Sequence, residues 1–187
     1  IKPKLRDLDQ IRWFNLLETE HDNLRAALEW CRAQNDAEKE LRLAVALCRF
    51  WDTYGHLREG RAHMEAALSR MPPSLPHSLR AGALAQAGWM AYAQNDLSEA
   101  RRFYMQTLAI LRENCERESL AQPLNFLAMV AVEEGNFDEA RELFEESLVI
   151  CREIGPRARL GSVLQNLGHL LCEQGDYETA RDYLNQS

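Results

Sequence analysis

The sequence predicts an all-α fold, an αα-hairpin solenoid behind an N-terminal helical connector, and three observations carry that expectation. A phrase of about fourteen residues recurs every forty: GHLREGRAHMEAAL at 55–68, NDLSEARRFYMQTL at 95–108, GNFDEARELFEESL at 135–148 and GDYETARDYLNQS at 175–187. Within each copy, apolar and small residues recur at the three- and four-residue spacing of one helical face. Between the apolar segments, glycine or asparagine stands where a helix must turn through positive φ.

The recurring phrase is the second helix of each hairpin. Leu57 and Gly60, Leu97 and Ala100, Phe137 and Ala140, and Tyr177 and Ala180 each set an apolar residue three before a small one. Arginine follows at 61, 101, 141 and 181, and a large residue comes four after the small one, at Met64, Tyr104, Phe144 and Leu184. A glycine or alanine in mid-face lets a second helix approach closely. The first helices precede at the same interval, with stripes of Leu84, Ala87, Gly88 and Ala91, of Leu124, Leu127, Ala128 and Ala131, and of Leu164, Leu167, Gly168 and Leu171. At the junctions, Gly55, Asn95, Gly135 and Gly175 are followed by His56, Asp96, Asn136 and Asp176, and three residues on by Glu59, Glu99, Glu139 and Thr179. Asp or Asn followed at that distance by Glu is close to a capping box. One hairpin cannot bury its apolar face alone, so the copies are expected to stack.

Ahead of the repeats, residues 11–34 read as one long amphipathic helix with Trp13, Leu17, Leu24, Leu28 and Cys31 in its stripe. The expected organisation is a helical connector over 1–36 and repeats over 37–187, in units of about 40–79, 80–119, 120–159 and a truncated 160–187.

Composition excludes some functions. The 187 residues are 46% apolar and 27% charged, the balance of a globular domain. The net charge of −7 lies in the second half: 91–187 hold 9 basic against 17 acidic residues, while 1–90 hold 13 against 12. Nucleic-acid binding wants a basic face that displaces counterions, so direct nucleic-acid binding is not expected. Five cysteines (31, 48, 115, 151 and 172) without a CxxC pair point to a reducing, cytoplasmic setting. No apolar run reaches membrane-spanning length and no signal-peptide pattern opens the chain, so no membrane partner is expected. The chain opens on isoleucine and its last repeat stops mid-phrase, the expectation being a piece of a longer protein. Tyr177, Tyr183 and Leu184 of that last helix are expected to lie partly uncovered, which would favour self-association through that end.

Leu167-Gly168 in a first helix, then Gly175-Asp176-Tyr177 and Ala180, resemble the tetratricopeptide repeat. The resemblance is strongest at 120–159 and 160–187, good at 80–119, and weaker at 40–79, where Cys48 and Gly60 replace the usual small residues although Pro72 is retained. It implies a right-handed superhelix whose first helices line a concave groove for a protein, peptide or small effector. The family's groove positions fall here on Arg42, Val45, Arg49 and Asp52, on Ala85, Trp89 and Tyr92, on Gln122, Asn125 and Met129, and on Gln165 and His169. The paired Lys and Asn of members that bind chaperone tails are missing at the matching positions. Residues 10–70, through Trp13, Glu20, Asn23, Leu24, Ala27, Leu28, Trp30, Phe50-Trp51 and Gly55, are similar to bacterial STAND-type regulators, including LuxR-type and AfsR-like transcription regulators. There such text stands between a nucleotide-binding module and a repeat array. No GxxxxGK[ST] occurs in this chain.

Motifs for catalysis are absent: no HExxH, GxSxG or GxGxxG occurs. His56, Glu59 and His63 offer metal-ligand chemistry, but His63 is beyond an i,i+4 reach of His56. No enzyme activity, metal or cofactor is therefore expected. The expected function is a partner-binding regulatory module of a larger bacterial signalling ATPase or transcription regulator; the alternative is a free-standing adaptor or peptide receptor.

Overall fold

The computed structural model of the chain describes residues 10–154 and 157–186, and these hold helices and turns without a β-strand. They fall in two compact units that meet at the Leu75–Pro76 bond. The first contains α1 (Gln10–Thr19), α2 (His21–Ala33), α3 (Ala37–Tyr54) and α4 (Leu57–Ser69). The second contains α5 (His77–Ala93), α6 (Leu97–Glu113), a 3-10 turn (Arg117–Leu120), α7 (Ala121–Glu133), α8 (Phe137–Ile154), α9 (Arg157–Glu173) and α10 (Tyr177–Leu184). The all-α fold of stacked αα-hairpins is as the sequence predicts. Among the described residues, no helix is long and apolar enough to cross a membrane.

Every hairpin turn is built the same way. A residue one or two past the end of the first helix is left-handed, with φ of 80° at Gly55, 59° at Asn95, 79° at Gly135 and 82° at Gly175. The following amide then donates back to the helix: His56 to Trp51, Asp96 to Ala91, Asn136 to Ala131 and Asp176 to Leu171, at 2.8–2.9 Å. This six-to-one bond is a Schellman closure, and Gly or Asn stands there because a Cβ is costly at positive φ. The joints after α2 and α6 reuse it, at Asn35 (φ 55°) and Cys115 (φ 56°).

That closure stands beside the capping interaction the sequence predicts. The forward half forms, with the side chains of Asp96 and Asp176 accepting from Glu99 N and Thr179 N at 3.3 and 3.2 Å. The N-cap amide also donates backwards to the preceding helix, and the glutamates accept from arginines: Glu99 from Arg102, Glu139 from Arg101 and Glu59 from Arg25.

The segment 11–34 is two helices rather than one, broken at Glu20, whose ψ of 8° leaves the helical range. The buried stripe also differs. Phe14, His21 and Leu28 are buried seven apart, with Cys31 beside them, while Trp13 is exposed. Seven-residue spacing keeps residues on one seam, and it selects Phe14 over its neighbour.

Close approach within each hairpin uses one small residue against one large one. A Cβ on Gly88 (α5) would stand 2.9 Å from the Tyr104 ring (α6), and one on Gly168 (α9) 2.7 Å from Leu184 (α10). In the first hairpin the roles are exchanged. Gly60 sits on the second helix and admits the fully buried Trp51 of the first, whose ring would be 2.5 Å from an added Cβ. Ala128 and Ala140 are fully buried at the corresponding places of the third hairpin. The second helices α6 and α8, at 17 and 18 residues, are about a turn longer than the 13-residue α4, which accommodates the forty-residue period.

Charged groups tie the stack together. Arg101 forks onto Glu134 and Glu139 at 2.5–3.2 Å, and Arg112 and Arg117 reach Glu146 and Glu153. In the first unit Glu40 is fully buried, with Arg32 on one carboxylate oxygen and Arg70 on the other, which spares an uncompensated charge.

Candidate functional site

In the second unit, α7 packs against both α5 and α9, so these three first helices present a common face. The groove positions expected there divide by environment. Trp89 and Tyr92 are half-buried; the Trp89 ring lies 5.5 Å from Phe126 of α7 and 6.0 Å from Tyr92. Burial, with the Glu133 carboxylate nearby, pushes the Tyr92 phenol up, so it stays a donor, and its OH stands 3.5 Å from Glu133. Asn125 is buried and accepts from Asn166 Nδ2 of α9 at 3.1 Å, so its amide joins one repeat to the next. Ala85 and Met129 are half-buried, and Gln122, Gln165 and His169 face water.

The first unit holds the remaining positions on α3. Arg42, Arg49 and Asp52 are exposed and Val45 is half-buried. Arg42 is committed to Glu38 one turn back, at 2.8 Å. The face on α5, α7 and α9 thus offers ring edges, two free-standing amides and an imidazole. Such groups can hydrogen-bond an extended backbone while aromatics contribute contact area.

A second cluster lies in the first unit, and sequence reasoning missed most of it. Glu18 at the end of α1, His21 at the start of α2 and His56 before α4 bring one ligand atom each within 4.8 Å of one another. His56 Nε2 is 3.0 Å from Glu18 Oε2, and the two imidazole rings are 4.3 Å apart. His21 is 7% exposed and packs edge-on against Phe50. Its Nε2 lies 3.2 Å from Glu59 Oε1, yet it is buried without forming a hydrogen bond. Both oxygens of Glu59 already accept from Arg25, at 2.7 and 2.6 Å, which holds that carboxyl below the usual range. His56 occupies the position where Asp96 and Asp176 cap their helices, and its side chain makes no cap bond. Giving up that cap costs the helix about 1 kcal/mol. His63, which the sequence grouped with His56, instead stacks on Trp51 and meets Arg32. The signal that could have found the cluster is the i,i+3 Glu18–His21 pair, one turn apart on a helical path.

Comparison with known proteins bears on the second unit most directly. Two sequence models, both described as tetratricopeptide repeat, match residues 80–121 and 119–187. Residues 80–187 are tetratricopeptide repeats. The protein named "Putative HTH-type transcriptional regulator Rv0890c" from Mycobacterium tuberculosis is 32% identical over 127 residues, which are 63% of this chain and 14% of that protein. A Mycobacterium bovis protein, with Mb0914c in its name, matches at the same figures. The chain therefore spans a small part of the length of these curated relatives. Among solved structures, BtubC from P. vanneervenii is 22% identical with a TM-score of 0.75, over 91% of this chain and 71% of that one. RapI in its apo form is 12% identical with a TM-score of 0.74, over 94% and 68%. MamA is 15% identical with a TM-score of 0.64, over 92% and 91%. At these identities the likeness is one of fold.

Proposed function

We propose that this chain is the partner-binding module of a larger bacterial regulator, either a signalling ATPase or a transcription regulator. The first-helix face of its tetratricopeptide repeats grips a protein segment, and occupancy of that face controls the rest of the molecule. The observation that carries the reading is the row of exposed Gln122, Gln165 and His169 beside half-buried Trp89, Tyr92 and Met129. Water-facing amides flanked by ring edges suit a bound backbone. The acidic balance of residues 91–187 favours a segment with positive charge, by long-range attraction.

The larger-protein half of the reading draws support from the mycobacterial relatives, of which this chain matches 14%. The nucleotide-binding half rests on the resemblance through residues 10–70. There, Ile11, Trp13, Leu16 and Trp30 are exposed apolar side chains of the kind a neighbouring segment covers. A cytoplasmic location belongs to the same reading.

The test is a triple variant, Gln122→Ala, Gln165→Ala and His169→Ala, in the complete native protein. Loss of the transcriptional or signalling response with unchanged helicity and Tm supports the proposal. A full response from a correctly folded triple variant overturns it.

A further inference from the structure

We propose that Glu18, His21 and His56 form a binding site for one divalent transition-metal ion, with Zn²⁺ the best match. The site lies wholly in the first unit and stands independently of the partner-binding reading. Two imidazole nitrogens and a carboxylate oxygen are the donor set of borderline-soft cations that take three protein ligands and a water. Ligand atoms around a tetrahedral zinc, each about 2.0–2.1 Å from it, stand about 3.3 Å apart. His56 Nε2 and Glu18 Oε2 are 3.0 Å apart, and the full set of three lies within 4.8 Å, so the closure required is small.

Two further observations single this cluster out from an ordinary surface group. The buried Nε2 of His21 forms no hydrogen bond, and the carboxylate beside it at 3.2 Å, Glu59, already accepts from Arg25 through both oxygens. His56 stands where sister hairpins keep a capping aspartate, and its side chain points to Glu18 instead of the helix. Glu59 beside the His21 ring adds negative charge favouring a cation, while Arg25 holds its carboxylate in place. A bound ion would pin the α1–α2 junction to the α3–α4 turn, coupling the connector's geometry to metal supply.

The experiment titrates the metal-stripped 187-residue chain with Co²⁺ and Zn²⁺, reading the visible d–d absorption of Co²⁺, calorimetric stoichiometry and Tm. The proposal expects one ion per chain at micromolar or tighter affinity, an intense tetrahedral-type Co²⁺ spectrum displaced by Zn²⁺, and a metal-dependent rise in Tm. Glu18→Gln and His56→Asn should each weaken binding by about tenfold or more. His56→Asn should also raise the metal-free Tm, because it restores a capping side chain while removing a ligand. Variants that bind as the parent does, a thiolate charge-transfer band showing cysteine ligation, or failure to bind at micromolar concentration would each overturn the proposal.

Discussion

Gly88 of α5 lies flat against the ring of Tyr104 of α6, so close that a Cβ would stand 2.9 Å from ring Cζ. That contact sets the distance between the two helices of the hairpin, and Tyr104 is fully buried by it. Gly88→Ala should destabilise the chain by about 1–3 kcal/mol, since a rigid ring has no room to yield. Gly168→Ala meets the flexible Leu184 and should cost less. Ala140→Leu, at a fully buried site, should cost about as much as Gly88→Ala. Urea unfolding midpoints check all three; a neutral Gly88→Ala would mean the hairpin is looser than described.

The same tyrosine carries a cost of its own. Its hydroxyl is buried without a hydrogen-bond partner, and burial drives its pKa upward. The equivalent residue of the next hairpin is Phe144. Tyr104→Phe should raise stability by about 1 kcal/mol, because it removes a desolvated polar group while keeping the ring. A lowered Tm would show that the hydroxyl has a partner.

Cys115 holds φ at 56° in a closure where the other joints use glycine or asparagine. A β-carbon in that conformation costs roughly 1–2 kcal/mol, partly offset by the greater unfolded-chain entropy of glycine. Cys115→Gly should therefore stabilise by about 0.5–1 kcal/mol. An unchanged or lower unfolding free energy would contradict this.

Acid should weaken the stack through Glu139, whose carboxyl is held below its ordinary value mainly by hydrogen bonds from Arg101. A carboxyl depressed in the folded state contributes stability above its unfolded pKa of about 4.3, and loses it as pH falls through the lower folded value. Both groups are partly wetted, so the effect is about 0.5 kcal/mol. Glu139→Gln should lose less stability than the parent between pH 5 and pH 3, both values chosen to bracket the unfolded pKa. Equal losses would remove Arg101–Glu139 from the account.

How much of this was legible in the sequence depended on whether the signal was local. The hairpin frame was legible because Gly55, Asn95, Gly135 and Gly175 mark left-handed turns, and the structure gives each positive φ. Cys115 was not, since Asn114 beside it is the more natural candidate and nothing local moves the turn by one residue. The first hairpin is a weak copy in sequence because Cys48 stands where the other first helices carry a small residue. Close approach needs one small side chain, and Gly60 supplies it from the opposite helix to admit Trp51. Phe14, not Trp13, is the buried residue, a choice that a helical period alone does not make between adjacent residues. At the candidate face, the sequence placed Asn125 with the groove amides but could not show its bond to Asn166, 41 residues on. The Glu18–His21 pair is local, but its meeting with His56 needs the α3–α4 turn folded back on the α1–α2 junction, a juxtaposition no local pattern encodes.

The most direct test of the central claim places a photoreactive phenylalanine analogue at Gln165 on the first-helix face and, as control, at Glu142 on α8, both exposed. The full-length native protein is irradiated in the cell that makes it, and crosslinked peptides are mapped by mass spectrometry. The account predicts one recurring protein segment, rich in basic residues, joined at position 165 and absent at 142. Equal labelling at both positions, or labelling at 142 alone, would contradict it.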